Sequence, residues 1–211
     1  MLNDLHSQNW KMPNYQSLRF LAVGAAFTVA SLIASQPVQA RQGDQTTTIF
    51  VGTTSYTDGT AVTNGTTFGA RWALEFQPDL LWTISAQYAA TAGEQTSGGA
   101  KYDLRTNTTT AQTGVTYLFN NDPSSVVVGR VGGGLSILSY DLEFDYPESD
   151  IGKTSGVGPG VFALVGAEIR LAKNISLIPE YVVSAHAIET EAGDSFTLVS
   201  AGVVVAILIS F

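Results

Sequence analysis

The sequence has no cysteine among its 211 residues. A disulfide framework, a thiolate metal site and a lipid-modified cysteine are therefore excluded. Charged residues make up only 13% of the chain and hydrophobic residues 45%, an apolar balance for a soluble domain. Yet after the first forty positions the sequence has no apolar run of about 20 residues, the length that a transmembrane helix needs. The apolar surface must therefore be carried by something other than membrane-spanning helices.

The first forty residues have the organisation of a secretory signal peptide. Arg19 closes a basic segment, residues 20–34 are largely apolar, and Val38 and Ala40 form a small-residue cleavage pattern. We predict cleavage after Ala40, so that residues 1–40 are the leader and residues 41–211 the mature domain. A retained N-terminal anchor is the alternative, although the apolar stretch is short for a membrane span. Either Met1 or Met12 is compatible with the start of the chain.

The predicted mature domain is acidic. Removing Lys11, Arg19 and Asp4 with the leader leaves 8 basic and 17 acidic residues, a net charge of −9. Such a charge argues against nucleic acid as a partner. The remainder is rich in Val, Ile, Tyr and Phe at low charge density, which argues against disorder.

Eight segments of the mature domain are long enough to cross a membrane as tilted strands, which need about 9–11 residues each. Short turns near 78–79, 120–123 and 172–174 alternate with longer polar links, as in transmembrane barrels with tight periplasmic turns and long outer loops. We therefore predict an all-β fold, an eight-stranded antiparallel up-and-down transmembrane β-barrel with both ends in the periplasm. The predicted strands are 46–56, 65–77, 80–91, 106–119, 125–140, 159–171, 174–188 and 195–211, and the predicted long links are 57–64, 92–105, 141–158 and 189–194.

Alternating hydrophobicity assigns the two faces of these strands, because successive side chains of a strand point to opposite sides. In the second strand Phe68, Trp72 and Leu74 share one face, whereas Arg71 and Glu75 share the other. The last strand has an unbroken apolar face, consisting of Val199, Ala201, Val203, Val205, Ile207, Ile209 and Phe211. This pattern predicts a surface that faces lipid and a polar lumen.

Aromatic residues fall near both ends of the predicted strands, where Tyr and Trp favour the boundary between acyl chains and headgroups. The alternative is a secreted β-sandwich with an aromatic-rich core, which would not need alternating short and long links. We place Phe76, Trp82, Tyr117, Phe119 and Phe211 at the periplasmic rim, and Tyr56, Phe68, Tyr88 and Tyr181 nearer the outer rim.

Three segments and the chain end together resemble the outer-membrane β-barrel proteins of the OmpA and OmpX type. Residues 73–82 resemble a strand-turn-strand unit with proline at the turn, residues 128–134 the glycine-rich fifth strand, and residues 165–181 the sixth and seventh strands. Phe211, with alternating apolar residues before it, resembles the signal that the barrel-insertion machinery reads. One departure is Pro179, which removes a ladder donor and should disturb the sheet locally.

The resemblance implies an outer-membrane location in a Gram-negative-type bacterium. It also implies contacts with outer-membrane lipid and lipopolysaccharide, and with the barrel-insertion machinery during biogenesis.

The face assignment collects three arginines and three glutamates in one lumen. An eight-stranded barrel is just wide enough for side chains to fill it, so we interpret these charges as a salt-bridge plug. The alternative is a gated, narrow pore for ions or small solutes, in which the charges select what passes. The predicted lumen network consists of Arg71, Glu75, Arg130, Glu168, Arg170, Glu180 and His186.

Catalysis needs a separate check, because two families of eight-stranded barrels are enzymes that act on lipid A. A deacylase needs a serine nucleophile, a histidine base and an orienting acid. The mature domain has one histidine, His186, with Ser184 and Glu180 on the same face. That face is the lumen, which an acyl chain cannot reach. The glycines at 132–134 lie in a strand and do not precede a helix, so they do not indicate a phosphate-binding loop. We predict no catalytic residues and no cofactor.

The third predicted loop is strongly acidic, with Lys153 its only base. Oxygen-rich clusters can bind calcium or magnesium, although the spacing matches no EF-hand loop. The alternative is a solvated, self-repelling loop without a ligand. The candidate cation ligands are Asp141, Glu143, Asp145, Glu148 and Asp150.

The sequence thus favours a non-enzymatic outer-membrane barrel with a structural or surface-interaction role, whose exposed loops would carry any recognition. A narrow pore is the second interpretation and a lipid A-modifying enzyme the third. The extracellular ligand and the oligomeric state are left open.

Overall fold

The computed structural model describes residues 45–57, 62–97, 100–145, 152–172, 174–190 and 195–209. Within them, no helix is long and apolar enough to span a membrane. The predicted leader and its cleavage site at Ala40, as well as Phe211, lie outside the described residues. The strands are β1 (Gln45–Thr57), β2 (Val62–Gln77), β3 (Leu80–Ser97), β4 (Ala100–Phe119), β5 (Val127–Asp145), β6 (Gly152–Ala172), β7 (Ile175–Thr190) and β8 (Ser195–Ile209).

The eight strands form a closed barrel in which each strand pairs with its neighbours in the sequence. Every pairing is antiparallel, and β1 closes the ring by pairing with β8 from Thr48 opposite Leu208 to Thr57 opposite Val199. Closure removes the unpaired edges of the sheet, which a lipid environment does not tolerate. The predicted eight-stranded up-and-down barrel is confirmed.

The strands at the outer end are longer than predicted. The link predicted over 92–105 is mostly strand, because β3 and β4 pair until Ser97 lies opposite Ala100. The link predicted over 141–158 is also partly strand, since β5 and β6 pair until Phe144 lies opposite Gly152. These segments were predicted to be loops because their composition is polar. A strand can also be polar on both faces where both of its faces contact water.

Side chains alternate between the outer surface of the barrel and its lumen, as predicted. On β8, Val203 and Ile207 are exposed, whereas the residues that follow each of them, Val204 and Leu208, are buried. Tyr56 was predicted at the headgroup boundary, but its ring is buried in the lumen with 3% exposure. Tyr56 and the buried Phe50 are separated by an even number of positions on β1, so their side chains point to the same side of the strand.

The lumen is packed in layers. Near the outer end, Tyr56, Leu138 and Ile188 belong to one buried apolar cluster. Near the periplasmic end, a cluster around Phe50 and Ile178 and another around Leu81 and Leu118 fill the barrel. Buried serines, threonines and ionised side chains occupy the space between these clusters. An eight-stranded barrel is just wide enough for side chains to fill its interior.

Glycine in the fifth strand allows the neighbouring strand to approach closely. Gly134 lies opposite Gly114 on β4, and a Cβ at Gly134 would overlap the carbonyl oxygen of Thr113. A side chain at this position would push the two backbones apart. The glycines of residues 132–134 therefore serve close packing of strands, as expected for glycine inside a sheet.

Pro179 disturbs the sheet on one side only. The β6–β7 pairing runs from Gly166 opposite Glu180 directly to Ile169 opposite Leu177, omitting the positions between. On its other side, Pro179 stays in register with Val205 of β8. The predicted local disturbance of the ladder is confirmed, and its cause is the missing amide donor of proline.

Candidate functional site

The tightest charged contact in the lumen joins β2 to β7. Nη1 of Arg71 donates to both carboxylate oxygens of Glu180, at 2.8 and 2.6 Å. The Glu180 side chain has no exposed surface, and Arg71 also lies over the ring of Phe50, 5.8 Å from its centroid. Since β2 and β7 are separated by β1 and β8 around the ring, this pair bridges the lumen.

Arg130 of β5 extends this contact into a chain of ion pairs. Its Nε donates to Oε1 of Glu180 at 3.2 Å, and its Nη1 donates to Oε2 of Glu168 at 3.3 Å. Ser176 of β7 donates to the other oxygen of Glu168 at 3.0 Å. Four strands are thereby joined through buried charge, and each carboxylate is shared between partners. Sharing of this kind offsets the high cost of removing charges from water.

Arg170 links the chain to the periplasmic end of the barrel. Its Nε lies 3.7 Å from Oε1 of Glu168, while its Nη1 and Nη2 donate to the carbonyl of Asp122 at 2.8 Å and to Oδ1 of Asn121 at 2.6 Å. Asn121 in turn donates to Oδ1 of Asp79 at 2.9 Å. Arg170 therefore fixes the β4–β5 connection of residues 120–126 to the β2–β3 turn, in addition to its place in the charged chain.

Local hydrogen bonds shape this connection. The backbone amide and hydroxyl of Ser124 both donate to Oδ1 of Asp122, at 2.9 and 2.7 Å, and these bonds lower the pKa of the Asp122 carboxyl below its ordinary value. Asp79 and Asn120 have positive φ angles of 65° and 61°, a conformation that Asp and Asn tolerate better than most residues.

We expect Arg170→Ala to loosen the β4–β5 connection while leaving the barrel closed. The substitution removes the hydrogen bonds that Arg170 donates within residues 121–125, so their amides should exchange with solvent at least about tenfold faster. Hydrogen–deuterium exchange with mass spectrometry measures this rate. Lys153→Ala, at the other end of the barrel, is the control and should leave it unchanged. Unchanged exchange in Arg170→Ala would show that the backbone turn holds itself.

Glu75 was predicted to join the charged network, and the structure corrects this. Its side chain points into the barrel and accepts a hydrogen bond from the amide of Asp79 at 3.2 Å, but it forms no ion pair with any residue that the structure describes. The linked chain therefore consists of Arg71, Glu180, Arg130, Glu168 and Arg170. Glu75 lines a cavity of about 280 Å³ at the periplasmic end, together with Arg130, Glu168 and Arg170.

His186 lies apart from the ion pairs, in an uncharged layer. Its Nε2 is 2.8 Å from Oγ of Ser136 and its Nδ1 is 3.5 Å from Oγ of Ser184, which is also bonded to Ser200. Both ring nitrogens therefore face hydroxyl groups, and the ring is almost fully buried. Glu180, the acid considered for a catalytic triad, is held by two arginines instead of orienting this histidine.

The sequence matches the outer membrane protein beta-barrel domain family over residues 24–206. The chain belongs to this family. Its membership places the protein in the outer membrane of a Gram-negative-type cell. No protein of curated function matches the chain.

Solved outer-membrane barrels share the fold at low sequence identity. Neisserial surface protein A is 15% identical with a TM-score of 0.51, covering 79% of this chain and 97% of its own. A major outer membrane protein from Thermus thermophilus is 14% identical with a TM-score of 0.52, covering 78% and 99%. OprG from Pseudomonas aeruginosa is 10% identical with a TM-score of 0.52, covering 82% and 97%. At these identities the likeness extends to the fold alone.

The acidic segment proposed to bind cations is largely strand in this outer-membrane barrel. Asp141, Glu143 and Asp145 belong to β5 and are not loop residues, whereas Glu148 and Asp150 lie outside the described residues. Glu143 accepts a hydrogen bond from Lys153 at 2.6 Å. Among the residues that the structure describes, no group of three or more acidic, histidine or cysteine side chains is placed to hold a metal ion.

Most of the uncharged side chains that form hydrogen bonds across the lumen were not predicted from the sequence. The hydroxyl of Tyr56 lies 2.8 Å from Oγ1 of Thr108, and Ser85 donates to Gln112 at 3.2 Å. Regular alternation of threonine and serine on the inward faces was the available signal. The alternation along each strand identifies which of these side chains point inward, but it does not identify their hydrogen-bond partners across the barrel.

Proposed function

We propose that this protein is a non-enzymatic outer-membrane barrel with a closed lumen, which acts through the surface that it exposes outside the cell. The observation that carries the proposal is the chain of ion pairs through Arg71, Glu180, Arg130 and Glu168. These side chains come from four strands and fill the interior where a pore would need open space. Outer-membrane lipid, including lipopolysaccharide, contacts the apolar belt on the outside of the barrel.

The placement of the one described histidine supports the non-enzymatic part of the proposal. An enzyme acting on lipid needs its nucleophile and base within reach of an acyl chain. Ser184 and His186 are buried in the lumen, behind a continuous wall of paired strands. Their hydrogen bonds to Ser136 and Ser200 are those of a satisfied core layer.

The uneven height of the barrel wall supports a role at the cell surface. Pairing between β2 and β3 starts at Asn64 opposite Ala92, yet β3 continues to Ser97 in its pairing with β4. On the far side, pairing between β6 and β7 stops at Gly156 opposite Thr190. Strands β3 to β6 therefore extend as a four-stranded sheet beyond the closed ring. A rigid sheet presents side chains in fixed positions, as a recognition surface requires.

Conductance and lipid analysis test the proposal together. We expect the purified protein in planar bilayers to show no stable conductance, because buried ion pairs from four strands occupy the lumen. Expression should also leave the mass spectrum of lipid A unchanged, with a His186→Ala strain as the matched control. Stable conductance steps in the wild type would support the pore instead. A lipid A mass shift that His186→Ala abolishes would support the enzyme.

A further inference from the structure

The cavity at the periplasmic end of the lumen combines opposite charges with apolar surface. Its volume is about 280 Å³, within a size that can enclose a small organic molecule. Glu75 lines it from β2, and Arg170 and Glu168 line it from β6. In a ring of eight strands β2 and β6 are four strands apart, so they form opposite walls.

The charged side chains on the two walls differ in whether they form ion pairs. On the β6 side, Glu168 contacts Arg130 at 3.3 Å and Arg170 at 3.7 Å. Glu180 is shared between Arg130 and Arg71, so the linked chain has three guanidinium groups and two carboxylates. On the β2 side, Glu75 has the Asp79 amide as its hydrogen-bond donor and no ion pair within the described part of the chain. The cavity therefore has a negative wall facing a wall with an excess of guanidinium groups.

The rest of the cavity is lined by apolar side chains and by short, uncharged polar side chains. Leu81, Leu118 and Leu208 contribute hydrocarbon surface, and all three are buried. Asn121 and Ser176 add neutral hydrogen-bonding groups at the same cavity. The lining is therefore mixed, with most of its residues polar or charged and with hydrocarbon surface from the leucines.

We propose that this cavity binds a small zwitterion, a molecule with an ammonium group and a carboxylate on an apolar frame. Its ammonium contacts Glu75, its carboxylate faces Arg130 and Arg170, and its frame packs on the leucines. The glutamates and arginines of the lining are equal in number. A guest of no net charge keeps that balance, whereas a singly charged guest adds an uncompensated charge to a poorly solvated site, which is costly.

The site does not depend on the proposed function. It lies on the periplasmic side of the Arg71–Glu180 pair, and a solute can occupy it whether or not the lumen conducts. Binding and conductance are measured separately, so either proposal can fail without the other.

Three matched probes test the charge requirement on the full protein in detergent micelles. L-Leucine carries both charges, isoamylamine lacks the carboxylate, and 4-methylpentanoate lacks the ammonium. Binding is followed by NMR chemical shifts of the Asn121 side-chain amide. We expect saturable binding of leucine, with dissociation constants at least tenfold weaker for both analogues. If the amine or the acid binds as well as leucine, or if leucine does not saturate at tens of millimolar, the proposal is wrong.

Two variants locate the guest. Glu75→Gln keeps the shape of the side chain and should weaken leucine binding at least tenfold, while the anion 4-methylpentanoate, which now restores the charge balance, should bind more tightly than to the wild type. Asp103→Asn, which removes an exposed carboxylate from the outer part of β4, is the control and should bind leucine as the wild type does. Equal leucine affinity in Glu75→Gln and the wild type would place the guest elsewhere and overturn the assignment.

Discussion

Glu180→Ala is expected to lower the free energy of unfolding by about 3–5 kcal/mol, because it leaves the buried guanidinium of Arg71 without its counter-ion and leaves Arg130 with Glu168 alone. Glu180 accepts from Arg71 at 2.6 and 2.8 Å and from Arg130 at 3.2 Å. Both arginines are buried, so bulk water cannot replace the lost carboxylate. Urea unfolding of the barrel in lipid vesicles, followed by tryptophan fluorescence, measures the loss.

An ion pair at the surface provides the control for Glu180→Ala. Glu143 contacts Lys153 at 2.6 Å, but the Lys153 side chain is 67% exposed. Water and salt screen such a pair, so Glu143→Ala should change stability little. If Glu180→Ala opened stable conductance without loss of stability, the lumen charges would be a gate and the pore would replace the closed barrel.

Val203→Arg is expected to destabilise the barrel by about 2–4 kcal/mol in a bilayer, the cost of arginine on the lipid-facing surface near the membrane midplane. Val203 is 50% exposed, and it lies in the middle of β8 between Tyr181 and Thr53 on the adjacent strands. In a water-soluble protein, an exposed valine would tolerate the same change within about 0.5 kcal/mol. The large cost therefore depends on lipid against this face.

Depth in the membrane provides the control for Val203→Arg. Thr197 is on the same face of β8 but near its outer end, where arginine costs about 0–1 kcal/mol. Unfolding of Val203→Arg and Thr197→Arg in the same vesicles compares the two depths. Equal costs at both positions would show that this face does not cross a hydrocarbon layer.

The strand count and the faces could be predicted because a strand repeats every two residues. Val203 and Ile207 had to share a side, and so did Arg71 and Glu75 on β2, whatever the rest of the chain did. The same rule predicts the side of Tyr56, although it was not used there. The alternation along β1 places Tyr56 in the lumen. Strand ends were predicted less well, because the polar outer parts of β3 to β6 have the composition of loops.

The candidate site could be predicted only as a set of inward charges. Arg71, Arg130, Glu168 and Glu180 were expected in the lumen, but pairing them required their heights in the barrel. Those heights depend on the tilt and stagger of strands in a closed ring, which no local pattern encodes. Glu75 was grouped with them only because it lies on the inward side of β2. Its position near the β2–β3 turn separates it from the chain of ion pairs. Arg170 likewise reaches the β4–β5 connection, far away in sequence.

The amino-acid pattern was enough to establish an eight-stranded outer-membrane barrel with an apolar outside and a charged inside, because periodicity along each strand is a local property. The closed ring was needed to show which charges meet, that Glu180 is shared by two arginines, and that Glu75 faces a cavity instead of a partner. Contacts across the lumen join residues 50 to 109 positions apart, and the register of the closed ring brings them together.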